Sequence, residues 1–139
     1  MVHLATVGPA ASTEEILQIV HRDGAVIVAD MLNGQVLRTL TGELQPYIDA
    51  TRYGQDSFAG FKTTRTGALV ARSPTCRELI LNQTVLDAAK TFLQPFCTRF
   101  QLHLAQVIRL SPGQPQQMIH RDRWAWGKYL RGVEPQFNT

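Results

Sequence analysis

The chain has 139 residues, of which 44% are hydrophobic and 18% charged, a composition typical of a single globular domain that excludes a disordered or collagen-like protein. Its net charge of +3 comes from scattered basic residues without the basic and aromatic pattern of an RNA-binding surface, so nucleic acid is not an expected partner. No stretch of about 18 or more apolar residues occurs, so neither a membrane span nor a membrane partner is expected.

The amino-terminal residues and the two cysteines bear on the cellular compartment. The first twelve residues, MVHLATVGPAAS, have no Lys or Arg ahead of their apolar part, and Gly8 and Pro9 interrupt them, unlike a secretory signal. Cys76 and Cys97 lack the CxxC spacing of zinc and redox sites. A reduced, cytoplasmic location is therefore expected.

The first predicted helix begins after Ser12. Ser12 and Glu15 form a capping box, and Gly24 follows the last apolar position, so this helix is expected to end near Arg22. The next stretch, AVIVAD, favours a short buried strand. An Asn-Gly pair then precedes a second helical pattern.

The middle of the chain combines a loop, a predicted strand pair and a helical region. Residues 53–61 have two glycines and no periodicity, which indicates a loop. The stretch KTTRTGALVARS predicts two strands joined by a turn at Gly67. Ser73 and Pro74 suit the N-cap and first position of a region of one or two helices that stops at Pro95.

Beyond Phe96 the apolar residues alternate, which predicts a strand. One face of this strand would carry Phe100, Leu102, Leu104, Ile108 and Leu110, and the other Gln101, His103, Ala105, Val107 and Arg109. A Ser-Pro-Gly turn at residues 111–113 separates it from a second extended stretch, QQMIHRDRWAW. Helices followed by a sheet predict an α+β domain.

The tripeptide His-Arg-Asp occurs at residues 21–23 and again at residues 120–122. Side chains two positions apart diverge on a helix but share a face on a strand. The first copy falls at a helix end, where the helix dipole alone accounts for a histidine. The second copy is expected on an extended backbone, so His120 and Asp122 would point the same way. An imidazole and a carboxylate are two of the three ligands in the facial triad of a non-haem Fe(II) site. The alternative interpretation of this pair is a surface strand with an ion pair and no metal.

The stretch LHLAQVIRLSPGQPQQMIHRDRWAWG resembles the phytanoyl-CoA dioxygenase-like family of Fe(II)- and 2-oxoglutarate-dependent oxygenases. The matching positions are Gln106, Pro112, Gly113, Gln117, His120, Asp122, Trp124 and Trp126. The helix, strand and helix order of residues 13–51 and the closing EPQFNT resemble the same family. The resemblance implies helices packed on an incomplete double-stranded β-helix of the jelly-roll or cupin type.

The resemblance also implies an activity and roles for individual residues. The expected reaction is hydroxylation of a small-molecule substrate, coupled to oxidative decarboxylation of 2-oxoglutarate. His120 and Asp122 would bind Fe(II), and the aspartate favours hydroxylation because halogenating relatives have a small residue there. Gln106 would contact 2-oxoglutarate. Trp124 and Trp126 would either line the substrate pocket or pack against the helical layer.

In this family the third iron ligand and the arginine that holds 2-oxoglutarate lie well downstream of the HxD motif. Residues 1–139 are therefore expected to form a single partial domain, truncated before the distal ligand and weakly active or inactive alone. His103 is a candidate cosubstrate contact or substitute ligand if it shares a barrel-facing side with Ala105 and Val107, although a hydrogen-bonded structural histidine is the favoured interpretation.

Other functions and roles stay open at this point. Lys62 or Arg65 would either neutralise a carboxylate of cosubstrate or substrate or remain on a solvated strand face. A non-catalytic fragment or binding module of the same fold is the main alternative, with an open sheet edge through which copies of the chain could associate. A protein kinase is excluded, because no Asn follows Asp122 at the required offset and no Gly-rich loop or Asp-Phe-Gly is present.

Overall fold

The structure is a computed structural model that describes residues 3–120. Within this part, five helices and four short strands form an α+β arrangement, as predicted. In chain order the elements are β1 (Thr6–Val7), α1 (Thr13–Asp23), β2 (Ile27–Val28), α2 (Gly34–Ala50), β3 (Thr63–Thr66), α3 (Leu69–Arg72), α4 (Pro74–Ile80), α5 (Gln83–Leu93) and β4 (Val107–Leu110). None of these helices has the length and apolar character needed to cross a membrane.

The strands form two separate two-stranded sheets. β1 and β2 run parallel, with α1 as the crossover between them. β3 and β4 run antiparallel, with Thr63 opposite Leu110 and Thr66 opposite Val107. Residues 3–120 contain no closed barrel, so the double-stranded β-helix stays a prediction.

Short polar side chains begin the helices where the sequence predicts them. The Ser12 hydroxyl accepts a hydrogen bond from the Glu15 amide at 3.1 Å, and α1 ends at Gly24. Asn33 accepts bonds from the first amides of α2, and Ser73 accepts one from the Cys76 amide at 2.8 Å. Each such cap stabilises its helix by about 1 kcal/mol, because it satisfies an amide without an intrahelical partner.

A carboxylate on α2 fixes the start of α4. Ser73, which is fully buried, donates a short hydrogen bond to Glu43. The Thr75 amide and hydroxyl donate to the same carboxylate at 3.2 and 3.0 Å. These hydrogen bonds, that of Ser73 first, hold the pKa of Glu43 below its ordinary value, against the opposing effect of desolvation. The ionised Glu43 carboxylate therefore connects α2 with the start of α4, where Ser73 lies 30 residues later in the sequence.

The hydrophobic core lies between the helices and the β3–β4 sheet. Its buried centre consists of Leu44, Leu69 and Cys76, and the half-buried side chains packed against it are Leu40, Ile48, Ile80, Ala105 and Val107. Burial raises the pKa of the Cys76 thiol, and the nearby Glu43 charge adds to the rise. Cys76 therefore stays a neutral core residue at physiological pH.

One face of the β3–β4 sheet packs on α2. The Thr66 and Thr51 hydroxyls are 2.8 Å apart, and Arg109 forms an ion pair with Asp49 at 3.2 Å. Because opposed residues share a face, the register directs Arg65 with Ile108 and Thr63 with Leu110 to the other side. On that side Ile108 and Leu110 remain 43% and 65% exposed.

Three sequence predictions about strands were confirmed only in part. The second strand expected after Gly67 is helix α3, preceded by Ala68 at a left-handed φ of 58°, and the helix buries Leu69 in the core. β3 pairs instead with the distant β4, which spans only the end of the predicted alternating stretch. The predicted buried strand AVIVAD contributes only the two residues of β2, and Ile27 is 46% exposed.

Two buried threonines on β3 should respond in opposite ways to removal of the hydroxyl. Within the described residues, Thr64 Oγ1 is buried without a hydrogen-bond partner, whereas Thr66 Oγ1 contacts Thr51. A buried unsatisfied hydroxyl is costly, so we expect Thr64→Val to raise the free energy of unfolding by up to about 1 kcal/mol. Thr66→Val should lower it by about 1 kcal/mol. Denaturant unfolding of both variants tests this, and equal shifts in one direction would contradict it.

Replacement of Glu43 should make the stability of the fold depend less on pH under acidic conditions. The pKa of Glu43 is lowered in the folded state, so its stabilisation is present above the unfolded-state pKa and is lost as the pH falls through the folded-state value. Glu43→Gln should unfold at a lower temperature near pH 7 and lose less stability than the wild type between pH 5 and about pH 3. Glu78→Gln, at an exposed position of α4, is the matched control. Parallel profiles for wild type and Glu43→Gln would refute the expectation.

Candidate functional site

The turn after β4 is hydrogen-bonded to the residue that precedes β3. The Ser111 amide donates to the Lys62 carbonyl at 2.9 Å, and the Gln114 amide closes the turn by donating to the Ser111 carbonyl at 3.1 Å. Gly113 has a φ of +77°, and a Cβ there would lie 3.0 Å from Lys62 Nζ. The predicted Ser-Pro-Gly turn thus needs its glycine for backbone conformation, since the exposed Lys62 side chain is flexible and can move aside.

Beyond the turn, residues 114–120 lie against residues 53–62, which we call the docking loop. The Lys62 amide donates to Gln114 Oε1 at 2.7 Å, and Gln117 Nε2 donates to the Phe58 carbonyl at 2.9 Å. Tyr53 at the start of the loop has its hydroxyl 3.2 Å from Ser111 Oγ. Side-chain amides therefore fix a segment that has no regular secondary structure of its own.

His120 lies at the end of this docked segment and is exposed. Its Nδ1 is 2.8 Å from the Met118 carbonyl oxygen, and its ring meets the Phe58 ring edge to face, with centroids 5.0 Å apart at 61°. A carbonyl oxygen only accepts hydrogen bonds, so Nδ1 carries the proton in this contact. With the proton on Nδ1, the nitrogen suited to bind a metal is Nε2.

The remaining residues of the predicted iron and substrate sites lie outside the described part of the chain. These are Asp122, Trp124 and Trp126. Within residues 3–120, no three His, Cys, Asp or Glu side chains come together as a metal-binding group. The assignments of His120 and Asp122 as ligands stay predictions.

Gln106 and His103 precede β4 in a stretch without regular secondary structure. Ala105 and Val107, which were expected to share a side of the strand with His103, pack against the helical core. His103 itself is exposed, and Gln106 is half-buried. Their roles as cosubstrate contacts stay predictions.

Arg65 is the cation that the sheet directs away from the helical layer. It is half-buried, lies opposite Ile108, and its Nε donates to the Ala59 carbonyl of the docking loop at 3.4 Å. Arg109, by contrast, lies on the helix-facing side and pairs with Asp49. Lys62 is exposed at the end of the loop.

The first His-Arg-Asp copy has the structural role expected of it. His21 lies in the last turn of α1, where its ring stacks on Phe92 of α5 with centroids 5.5 Å apart. Asp23 forms a two-point hydrogen bond with its neighbour Arg22, at 2.7 and 2.6 Å. The two side chains of this copy thus engage different partners.

Sequence reasoning missed the contribution of the docking loop to the site. It identified residues 53–61 as a loop but gave no role to Phe58, and it assigned Gln117 only as part of a family motif. The available signal was weak: an aromatic residue between two glycines, separated from its partner by about 60 residues. Only the β3–β4 register brings these segments together.

Comparison with known proteins identifies the family. The family model described as phytanoyl-CoA dioxygenase (PhyH) matches residues 20–138. Three relatives are dioxygenase FrzG of Cladobotryum sp, 28% identical over 82% of this chain, dioxygenase ALT11 of Alternaria alternata, 31% identical over 86%, and dioxygenase sphC of Aspergillus fumigatus, 29% identical over 97%. The chain spans only 41–43% of the length of these relatives. By the extent of these matches, the chain belongs to the phytanoyl-CoA dioxygenase (PhyH) family.

Proposed function

We propose that this chain supplies the iron-binding segment of an Fe(II)- and 2-oxoglutarate-dependent dioxygenase, with His120 and Asp122 as metal ligands. The observation that carries the proposal is the contact between His120 Nδ1 and the Met118 carbonyl, within the stretch that matches the family. A metal-binding histidine characteristically donates its second N–H to a carbonyl or carboxylate, which orients the ring and raises the basicity of the ligating nitrogen. Imidazole with carboxylate is a donor set that suits Fe(II).

The exposed face of the β3–β4 sheet supports the proposed fold. A sheet whose second face carries Ile108 and Leu110 normally buries that face against another layer. We infer that residues 1–139 form one partial domain of the jelly-roll or cupin type, in which the helices cover one side of the sheet and the site lies on the other. Gln106 precedes the strand that contributes this face.

The reaction proposed for the whole protein joins a substrate C–H bond, dioxygen and 2-oxoglutarate to give a hydroxylated product, succinate and carbon dioxide. Bound Fe(II) would activate dioxygen, and 2-oxoglutarate and the substrate C–H bond would each supply two of the four electrons that reduce it. Residues of this chain would bind and orient the metal. His120 would bind it through Nε2, and Asp122 would bind it through its carboxylate. Trp124 and Trp126 would line the pocket of a small-molecule substrate and exclude water from it.

Arg65 is suited to hold a carboxylate of the cosubstrate. Its guanidinium lies on the sheet face directed away from α2, and its bond to Ala59 leaves further N–H groups of the planar fork for a carboxylate. Neither of the ion pairs in residues 3–120 includes Arg65. Because Arg65 lies on this sheet face, whereas Lys62 lies at the end of the docking loop, we assign to Arg65 the role of neutralising a carboxylate of 2-oxoglutarate.

Metal binding by His120 is tested by anaerobic Fe(II) titration with 2-oxoglutarate. We expect a weak visible charge-transfer band in the wild-type chain and at least about a tenfold loss of metal affinity in His120→Ala. His21→Ala, in the other His-Arg-Asp copy, should leave the band unchanged because its ring packs on Phe92. Equal titrations for wild type and His120→Ala, or no band in either, would favour a non-catalytic binding module.

The role of Arg65 is tested by the 2-oxoglutarate dependence of the same band at saturating Fe(II). We expect Arg65→Gln to raise the apparent dissociation constant for 2-oxoglutarate about tenfold, as loss of a charge-assisted hydrogen bond predicts, with Fe(II) affinity unchanged. Arg109→Gln on the opposite sheet face is the matched control and should bind 2-oxoglutarate normally. If both variants bind it as the wild type does, Arg65 is a solvated surface residue.

A further inference from the structure

The docking loop contacts the segment that carries His120 from a position about 60 residues earlier in the chain. The Phe58 ring meets the imidazole edge to face, and the Phe58 carbonyl accepts a hydrogen bond from Gln117. One residue of the loop is thus held by Gln117 through its backbone while its side chain lies against His120. The two contacts connect the histidine to a separate part of the fold.

The docking loop is itself internally braced. Asp56 Oδ1 accepts a hydrogen bond from the Ala59 amide at 2.6 Å, and the Asp56 carbonyl accepts one from the Gly60 amide at 2.9 Å. Gly60 has a φ of +88°, and a Cβ there would collide with the Thr63 side chain. Phe58 lies inside this Asp56–Gly60 turn, so its backbone position is set by the turn and not by Gln117 alone.

The ring of a histidine has a soft torsion, so one contact does not fix its orientation. The second torsion of histidine is broad, and the Met118 carbonyl constrains only Nδ1. An edge-to-face aromatic pair adds a preferred angle between the two rings. A metal ligand must be held to within roughly 0.5 Å and 10–20° for productive geometry. The contact with the Phe58 ring is a further constraint on the orientation of the imidazole.

We propose that Phe58 and Gln117 are positioning residues for His120: Gln117 fastens the ligand-bearing segment to the docking loop, and the Phe58 ring sets the orientation of the imidazole. This inference rests on the proposed iron site. It adds two residues that touch neither metal nor cosubstrate but act through the ligand. Removal of either should leave the helical layer and the β3–β4 pairing intact, since Phe58 is 40% exposed and Gln117 is exposed.

The first test uses the metal-free chain. The Phe58 ring current shifts the His120 ring protons, so Phe58→Leu should move those proton resonances in NMR spectra at constant pH. Phe58→Tyr keeps the ring and should keep the wild-type shifts. Phe61→Leu, in the same loop at a 60% exposed position, is the matched control and should leave them in place. Identical His120 resonances in wild type and Phe58→Leu would overturn the assigned contact.

The second test uses Co(II) alone as the metal probe, followed by its visible ligand-field absorption. We expect Phe58→Leu and Gln117→Ala to weaken Co(II) binding about tenfold and to alter the absorption bands, as loss of groups that orient a ligand does. Phe58→Tyr should restore both, and Gln116→Ala, at the exposed neighbouring position, should change neither. Wild-type thermal unfolding of the variants verifies that they fold.

The outcomes separate this inference from the proposed function. Co(II) binding that is lost in His120→Ala but is unchanged in Phe58→Leu and Gln117→Ala would overturn the positioning role and retain the iron site. Co(II) binding that is the same in wild type and His120→Ala would overturn the iron site itself. Loss in all three variants with retention in Phe61→Leu and Gln116→Ala supports both.

Discussion

The antiparallel pairing of β3 with β4 determines which residues of this chain meet. Its register directs Thr66 and Val107 to the helical layer and Arg65 and Ile108 to the opposite side. A slip of one residue would exchange the two faces. The contact of Thr66 with Thr51, which follows α2, and the packing of Val107 against the core oppose such a slip, because both would be lost together.

The helical layer and the docking loop stabilise opposite sides of the β3–β4 sheet by different interactions. The helices provide apolar burial on one side, with Leu44 at the centre. On the other side, the loop provides hydrogen bonds to a segment without regular secondary structure, through Gln114 and Gln117. Each of these bonds contributes only about 1 kcal/mol, so their value lies in geometry more than in stability. The arrangement places the His120 ring against the Phe58 ring of the docking loop.

Local signals in the sequence predicted what depends on local chemistry. Ser12 and Ser73 are helix caps because a hydroxyl and an amide three residues later suffice for a cap. The strand expected after Gly67 failed because burial of Leu69 in the core, a tertiary contact, overrides strand preference. The alternation of residues along the chain likewise predicted which side chains of β4 share a face. Which of the two faces is buried depends on where the helices pack, and the local sequence does not reveal that. The contact of Phe58 with His120 depends on that same non-local pairing, and its local signal is weak.

The distance between β3 and β4 along the chain bears on the order of folding. About 40 residues, 67–106, separate the paired strands. Closing so long a loop has an entropic cost that precedes any hydrogen bond of the ladder, so such pairings form slowly. Helices α3, α4 and α5 lie within this loop, and their early formation shortens the span that remains to be closed. The imidazole of His120 is therefore expected to acquire its neighbours after the helices have assembled.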